Sequence, residues 1–106
     1  MTRKEILDAA LKCVCGDREQ DYGTPEDNFT RIAKLWTAYC GLEFAPQDVA
    51  AMMTLLKIAR IASGNAKDDN WVDIAGYAAC GGELEATAGG WQGAFMNTFL
   101  GGRNNG

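Results

Sequence analysis

Apolar residues recur every three to four positions along most of the chain, the spacing of helices with one buried face. No stretch of useful length alternates with the two-residue period of a strand. Four helices can be read, each with its own start signal. The first runs from about Thr2 to Cys15, opened by a Thr2-x-x-Glu5 capping box and closed by Gly16. Its inner stripe is Ile6, Ala9, Ala10 and Cys13. The second opens at Thr24-Pro25-Glu26-Asp27, with Thr24 as N-cap and Pro25 in the first helical position. It carries Asn28, Ile32, Leu35, Trp36 and Tyr39 on one side and ends near Gly41. The third begins at Pro46 and reaches about Ser63, before Gly64. Its apolar arc (Ala51, Met52, Leu55, Leu56, Ile58, Ala59 and Ala62) is wide enough to predict a central place among the others. The fourth starts around Asp68 or Asp69 and ends near Ala86.

Short connections between most of these segments favour antiparallel neighbours. The expectation is an all-α, single-domain antiparallel bundle of about four helices over residues 1–88. Residues 89–106 are different in kind, rich in Gly and Asn. Yet Trp91, Phe95 and Phe99 recur at i, i+4 and i+8, with Met96 and Leu100 alongside. Disordered tails seldom carry aromatics in that way. A short amphipathic helix docking on the bundle or on a second copy is expected, against the alternative of a loosely ordered tail.

One carboxylate breaks the apolar pattern. At 100° per residue, Asp69, Asn70, Asp73, Tyr77, Cys80 and Leu84 fall on one side of the fourth helix, and Asp73 sits mid-stripe. A buried carboxylate needs compensation from a cation, a metal or several hydrogen-bond donors. Asp73 has no capping duty, so it marks a ligand site between helices, with Asn70, Trp71 and Tyr77 as neighbouring candidates.

Charge narrows the partner class. The 106 residues carry 10 Lys+Arg against 14 Asp+Glu, a formal net charge of −4. That argues against a protein built to coat a nucleic-acid polymer, but not against a small phosphorylated ligand held by a few local cations or by a metal. No run is long and apolar enough to span a bilayer and no signal segment opens the chain, so a cytoplasmic protein without membrane contact is expected. The four cysteines, Cys13, Cys15, Cys40 and Cys80, match zinc spacing poorly, and histidine is absent. Reduced cysteines in packing positions are the expectation.

Other candidates each have a plain alternative. The loop Gly16-Asp17-Arg18-Glu19-Gln20-Asp21-Tyr22-Gly23 holds more chemistry than a turn requires. Arg18 suits a phosphate or carboxylate fork, and Tyr22 suits stacking on a base; Asp17 and Arg18 equally suit a surface pair at the helix end. Asn28 either ties the loop backbone or reads a ligand edge. Asp48 occupies the third position of its helix, where a carboxylate satisfies orphan amides. Lys57 and Arg60 are assigned to the exposed face of the third helix, as a phosphate patch or as plain solvent-facing charge.

The segments Gly16-Asp17-Arg18…Asp21-Tyr22-Gly23, Asn28-Phe29…Arg31-Ile32-Ala33…Leu35-Trp36, Leu55-Leu56-Lys57-Ile58-Ala59-Arg60 and Trp71-Val72-Asp73-Ile74-Ala75-Gly76-Tyr77 resemble a small phage- and prophage-encoded helical domain of unknown function, over roughly residues 5–85. Asp73-Ile74-Ala75-Gly76-Tyr77 is also distantly similar to the second motif helix of MazG-like all-α nucleotide pyrophosphatases. That second resemblance implies Mg²⁺ held by acids on facing helices, with Asp73 and Asp69 catalytic and Glu26, Asp27 and Asp48 as further ligand candidates. Two positions of the family pattern are not acidic here: Asn70 and Thr30 stand where carboxylates are expected.

Three readings follow. One is a Mg²⁺-dependent nucleoside triphosphate pyrophosphohydrolase. Another is a metal-free binder that sequesters a nucleotide-derived signal, using Arg18, Asp21, Tyr22, Asn28, Lys57, Arg60, Asn70, Trp71, Asp73 and Tyr77 as contacts. The third is a structural or protein-binding helical module. A small nucleotide ligand is common to the first two. Homo-oligomerisation through helix faces and the aromatic tail is a further expectation.

Overall fold

The computed structural model describes residues 1–16, 23–64, 67–88 and 90–101. Five helices and no strand occur among them: α1 (Arg3–Cys15), α2 (Pro25–Cys40), α3 (Pro46–Ala62), α4 (Asp68–Ala88) and α5 (Ala94–Phe99). The start signals do what their chemistry predicts. The Glu5 N–H donates to Thr2 Oγ1 at 3.2 Å, and the Thr2 N–H donates to Glu5 Oε1 at 2.7 Å, closing the capping box of α1. The Asp27 N–H donates to Thr24 Oγ1 at 3.2 Å, with Pro25 opening α2. Gly41 ends α2 at φ 77°, a left-handed conformation that a side chain would strain. The Phe44 N–H then donates to Thr37 Oγ1 at 2.9 Å, folding the connection back towards α3.

α4 is the shared element, packed between α1 and α3, while α2 lies chiefly against α3. Contacts fix the directions. Lys57 meets Asp73 and Gln47 meets Glu85, so α3 and α4 run antiparallel. Met1 meets Asp68, and Val14 lies against Gly76, so α1 runs along α4 in the same direction. Gly76 permits that approach: a Cβ there would lie 3.1 Å from Val14 Cγ1.

The core is Phe29, Ala33, Val49, Ala50, Cys80 and Leu84, with Val14, Ile32, Trp36, Phe44, Met53 and Tyr77 packed around it. Two expected inner faces are turned otherwise. On α2 the inner stripe is Phe29, Ile32, Ala33 and Trp36, leaving Leu35 and Tyr39 in solvent. On α3 the buried positions are Gln47, Asp48, Val49 and Ala50, and the arc expected to be central is open at Met52, Leu55, Leu56 and Ile58. α4 takes the central place instead, with Gly76 admitting Val14 of α1 on one side and Gly81 admitting Ala50 of α3 on the other. Of the four cysteines only Cys80 is a packing residue; Cys13, Cys15 and Cys40 are exposed free thiols.

The aromatic tail docks on the bundle, and Asp48 is the reason. Its carboxylate is fully buried and accepts four N–H bonds. Oδ2 takes the Ala45 N–H at 2.7 Å, the capping service expected of it, and the Ala94 N–H at 3.0 Å. Oδ1 takes Trp91 Nε1–H at 2.9 Å and the Phe95 N–H at 3.1 Å. Beside it, Gln47 Nε2–H donates to Glu85 Oε1 and to the Gly90 carbonyl, both at 3.2 Å. Trp91, Phe95 and Phe99 stack in series, with ring centroids 5.2 and 6.4 Å apart. Gly93 is required by this seat, because a Cβ there would run into Asp48 Oδ2 and the Ala45 backbone. No helix among the described residues is long and apolar enough to cross a membrane.

Candidate functional site

A cleft of about 70 Å³ opens where α1, α2 and α4 converge. α1 contributes Cys13 and Val14, α2 contributes Pro25, Asn28 and Phe29, and α4 contributes Val72, Asp73, Gly76, Tyr77 and Cys80. The walls are apolar and aromatic, with the Phe29 and Tyr77 rings 6.4 Å apart and tilted by 43°. Polar groups are few: the Asn28 amide, the Asp73 carboxylate and the Tyr77 hydroxyl.

Each polar group is placed by local sequence. Thr24 and Pro25 start α2 so that Asn28 stands one turn in, with its N–H bonded to the Thr24 carbonyl at 3.0 Å. Asp73 and Tyr77 are four residues apart and share the α4 face turned to the cleft. The cation that a half-buried Asp73 demands comes from α3: Lys57 Nζ lies 2.8 Å from Asp73 Oδ2, with side chains 15% and 33% exposed respectively. Lys57 is therefore not the solvent-facing charge that its helix pattern suggested. Its ammonium crosses to α4 while its stem covers apolar surface.

The structure brings Asn28, Asp73 and Tyr77 together, with Lys57 joined through the ion pair. Asn70 is buried on the first turn of α4, while Asp69 and Trp71 on that turn are exposed; none of the three lines the cleft. Arg60 is exposed at the end of α3, and Glu26 and Asp27 are exposed on the first turn of α2. Arg18, Asp21 and Tyr22 lie outside the described residues.

Among the described residues, no three His, Cys, Asp or Glu side chains stand close enough to hold a metal ion. Asp48 in particular is no ligand: four N–H donors occupy its oxygens. It also stands nine residues from Lys57, about 13 Å along the helix axis. Sequence reasoning missed Phe29, Val14 and Gly76 as cleft-formers. The signal for Gly76 was its place mid-helix beside Tyr77, where glycine is costly unless another backbone or side chain approaches closely.

Comparison with known proteins agrees with the phage-domain likeness. Residues 5–85 match the model of a domain of unknown function, DUF6378. The chain belongs to the DUF6378 family. The Gene 55 protein of Mycobacterium phage L5 is 54% identical over 74 residues, covering 69% of this chain and 47% of that protein. The Gene 55 protein of Mycobacterium phage D29 is 40% identical over 77 residues, covering 73% of this chain and 51% of that protein. The chain thus spans about half the length of these phage relatives. No solved structure matches it. The DUF6378 match starts within α1, at Glu5, takes in the whole of α2 and α3, and stops within α4, before the Trp91–Phe99 tail.

Proposed function

We propose that this DUF6378 domain binds a nucleotide in the α1–α2–α4 cleft and holds it without hydrolysis. The observation that carries this reading is the grouping of Asn28, Asp73 and Tyr77 around an apolar cleft whose one carboxylate is already balanced by Lys57. A planar base suits walls formed by Phe29 and Tyr77. The Asn28 amide offers both a donor and an acceptor, and the Asp73 carboxylate accepts from N–H groups on a base edge. A cleft of about 70 Å³ takes only part of a base, so the sugar and phosphates would point outward. Hydrolysis draws no comparable support, because the described acids stand apart.

The test is isothermal titration calorimetry with purine and pyrimidine nucleotides, each with Mg²⁺ and with chelator, followed by chromatography of the recovered ligand. Binding that survives chelation, returns the nucleotide intact and falls at least about tenfold in Asn28→Ala and in Asp73→Asn is expected. Release of pyrophosphate or monophosphate in a metal-dependent manner would replace sequestration with catalysis. Absence of heat for every nucleotide would remove the reading altogether.

A further inference from the structure

We infer that the outer stripe of α3 is a contact surface for a second copy of this chain. A helix packed in a monomeric bundle shows polar residues on its far side. α3 does not. Met52, Leu55 and Leu56 follow the helical repeat and are 38%, 56% and 45% exposed, with Ile58 beside them at 42%. From Val49 to Ala59 the only charged residue is Lys57, and it is turned in to Asp73. The bundle therefore offers an uncharged outer strip that nothing among the described residues covers.

The strip continues into the docked tail. Asp48 stands one turn before Met52 on the same face, and its carboxylate seats Ala94 and Phe95 there. Beyond that seat the tail presents Phe95, Phe99 and Leu100, exposed by 40%, 73% and 40%. At roughly 200 Å² for a fully exposed large side chain, these seven residues present about 600–700 Å² of apolar surface per copy. A single protein seldom leaves so large a patch open, and a standard interface takes about 800 Å² from each partner.

Charge selects the occupant and its orientation. An uncharged strip makes no demand for an oppositely charged partner and is complementary to itself. Its ends differ: exposed Glu43 precedes α3 and exposed Arg60 stands on its last turn, while beyond it Lys67 is offset by Asp69 and Asp68 pairs with the Met1 amine. Two copies related by a two-fold axis, with their α3 helices antiparallel, bring Glu43 of each towards Arg60 of the other. Parallel pairing sets like against like. This inference is independent of what the cleft binds.

Sedimentation-velocity measurements on the full chain at concentrations up to about 100 µM test it. The expected species is a dimer, twice the 11.4 kDa chain mass. Leu55→Glu should raise the dissociation constant at least about 100-fold, with the helical circular-dichroism signal retained. Leu7→Glu, on α1 across α4 and 62% exposed, should leave the dimer intact. If Leu55→Glu fails to fold, Leu56→Ser serves as the second probe of the same strip. A monomeric wild-type chain, a Leu55→Glu protein that remains dimeric, or dissociation by Leu7→Glu instead would each overturn the inference. Growth into open-ended assemblies with rising concentration would overturn the two-fold arrangement.

Discussion

Replacing Asp48 tests how the tail is held. In Asp48→Ala four N–H groups lose their acceptor: Ala45, Ala94 and Phe95 on the backbone and Trp91 on the side chain. Leaving them dry would cost about 1–3 kcal/mol each. Three of the four belong to the segment 91–95, so releasing that segment to water is the cheaper response. What remains is the lost cap at Ala45, about 1 kcal/mol, and the apolar contact of the tail, roughly 2–3 kcal/mol. For a domain of this size a loss of about 3–4 kcal/mol lowers Tm by roughly 12–25 °C. Asp48→Asn keeps one acceptor oxygen but points an NH₂ at two N–H donors, so it should recover little. Hydrogen exchange reports the event directly: amides 94 and 95 should lose protection while those of α4 keep theirs. Gly93→Ala separates tail from cap. Its methyl group collides with Asp48 Oδ2 and crowds Ala45 Cβ and N, so the tail must leave, while both partners of the Ala45–Asp48 bond stay in the chain to re-form it. It should release the tail at a smaller cost in Tm. A fall of less than about 4 °C in Asp48→Ala, with amides 94 and 95 still protected, would refute the reasoning.

Other consequences are as direct. A double-mutant cycle with Lys57→Met and Asp73→Asn, read by urea unfolding, should give a coupling of about 1–2 kcal/mol, reduced from the fully buried range because Asp73 is 33% exposed; a coupling near zero would mean that the pair does not hold α3 to α4. Gly82 lies inside α4 and a Cβ there would meet nothing within 4 Å, so Gly82→Ala should raise stability by about 0.5–1 kcal/mol; a lower Tm would refute that. Glu5 has its carboxyl pKa lowered, first by the Thr2 backbone N–H and then by the Thr2 hydroxyl. A lowered folded pKa means that its contribution is present above the ordinary carboxylate range and is lost as pH falls through the lowered value. The Thr2 and Glu5 amide resonances should therefore shift together on acidification below the ordinary carboxylate range, and Glu5→Gln should abolish that step.

Much of the fold was legible because helix starts are written locally. Thr2-x-x-Glu5 and Thr24-Pro25 dictate hydrogen bonds within four residues, and those bonds form. Asp48 was readable as a cap for the same reason, since Ala45 lies three residues before it. Its bonds to Trp91, Ala94 and Phe95 span more than forty residues, and no local pattern announces them. Inner faces were harder. The apolar arc of α3 is wide enough to be buried on either side, so periodicity alone placed Met52, Leu55 and Leu56 inside and Lys57 outside. Asp73 was found because a carboxylate in an apolar stripe has few physical solutions. Choosing Lys57 among them required knowing how α3 and α4 cross.

The bond from Asp48 to the tail also bears on the order in which the domain is completed. During synthesis α3 emerges with a carboxylate whose later partners, 43 to 47 residues on, do not yet exist. Until residue 95 is made, that carboxylate keeps the Ala45 N–H and fills its other positions with water. The α1–α4 core holds no residue of the segment 91–95, so only the sealing of Asp48 waits on its translation. A nascent chain halted before Trp91 would carry an open, hydrated seam beside α3, a feature that distinguishes unfinished product from finished protein.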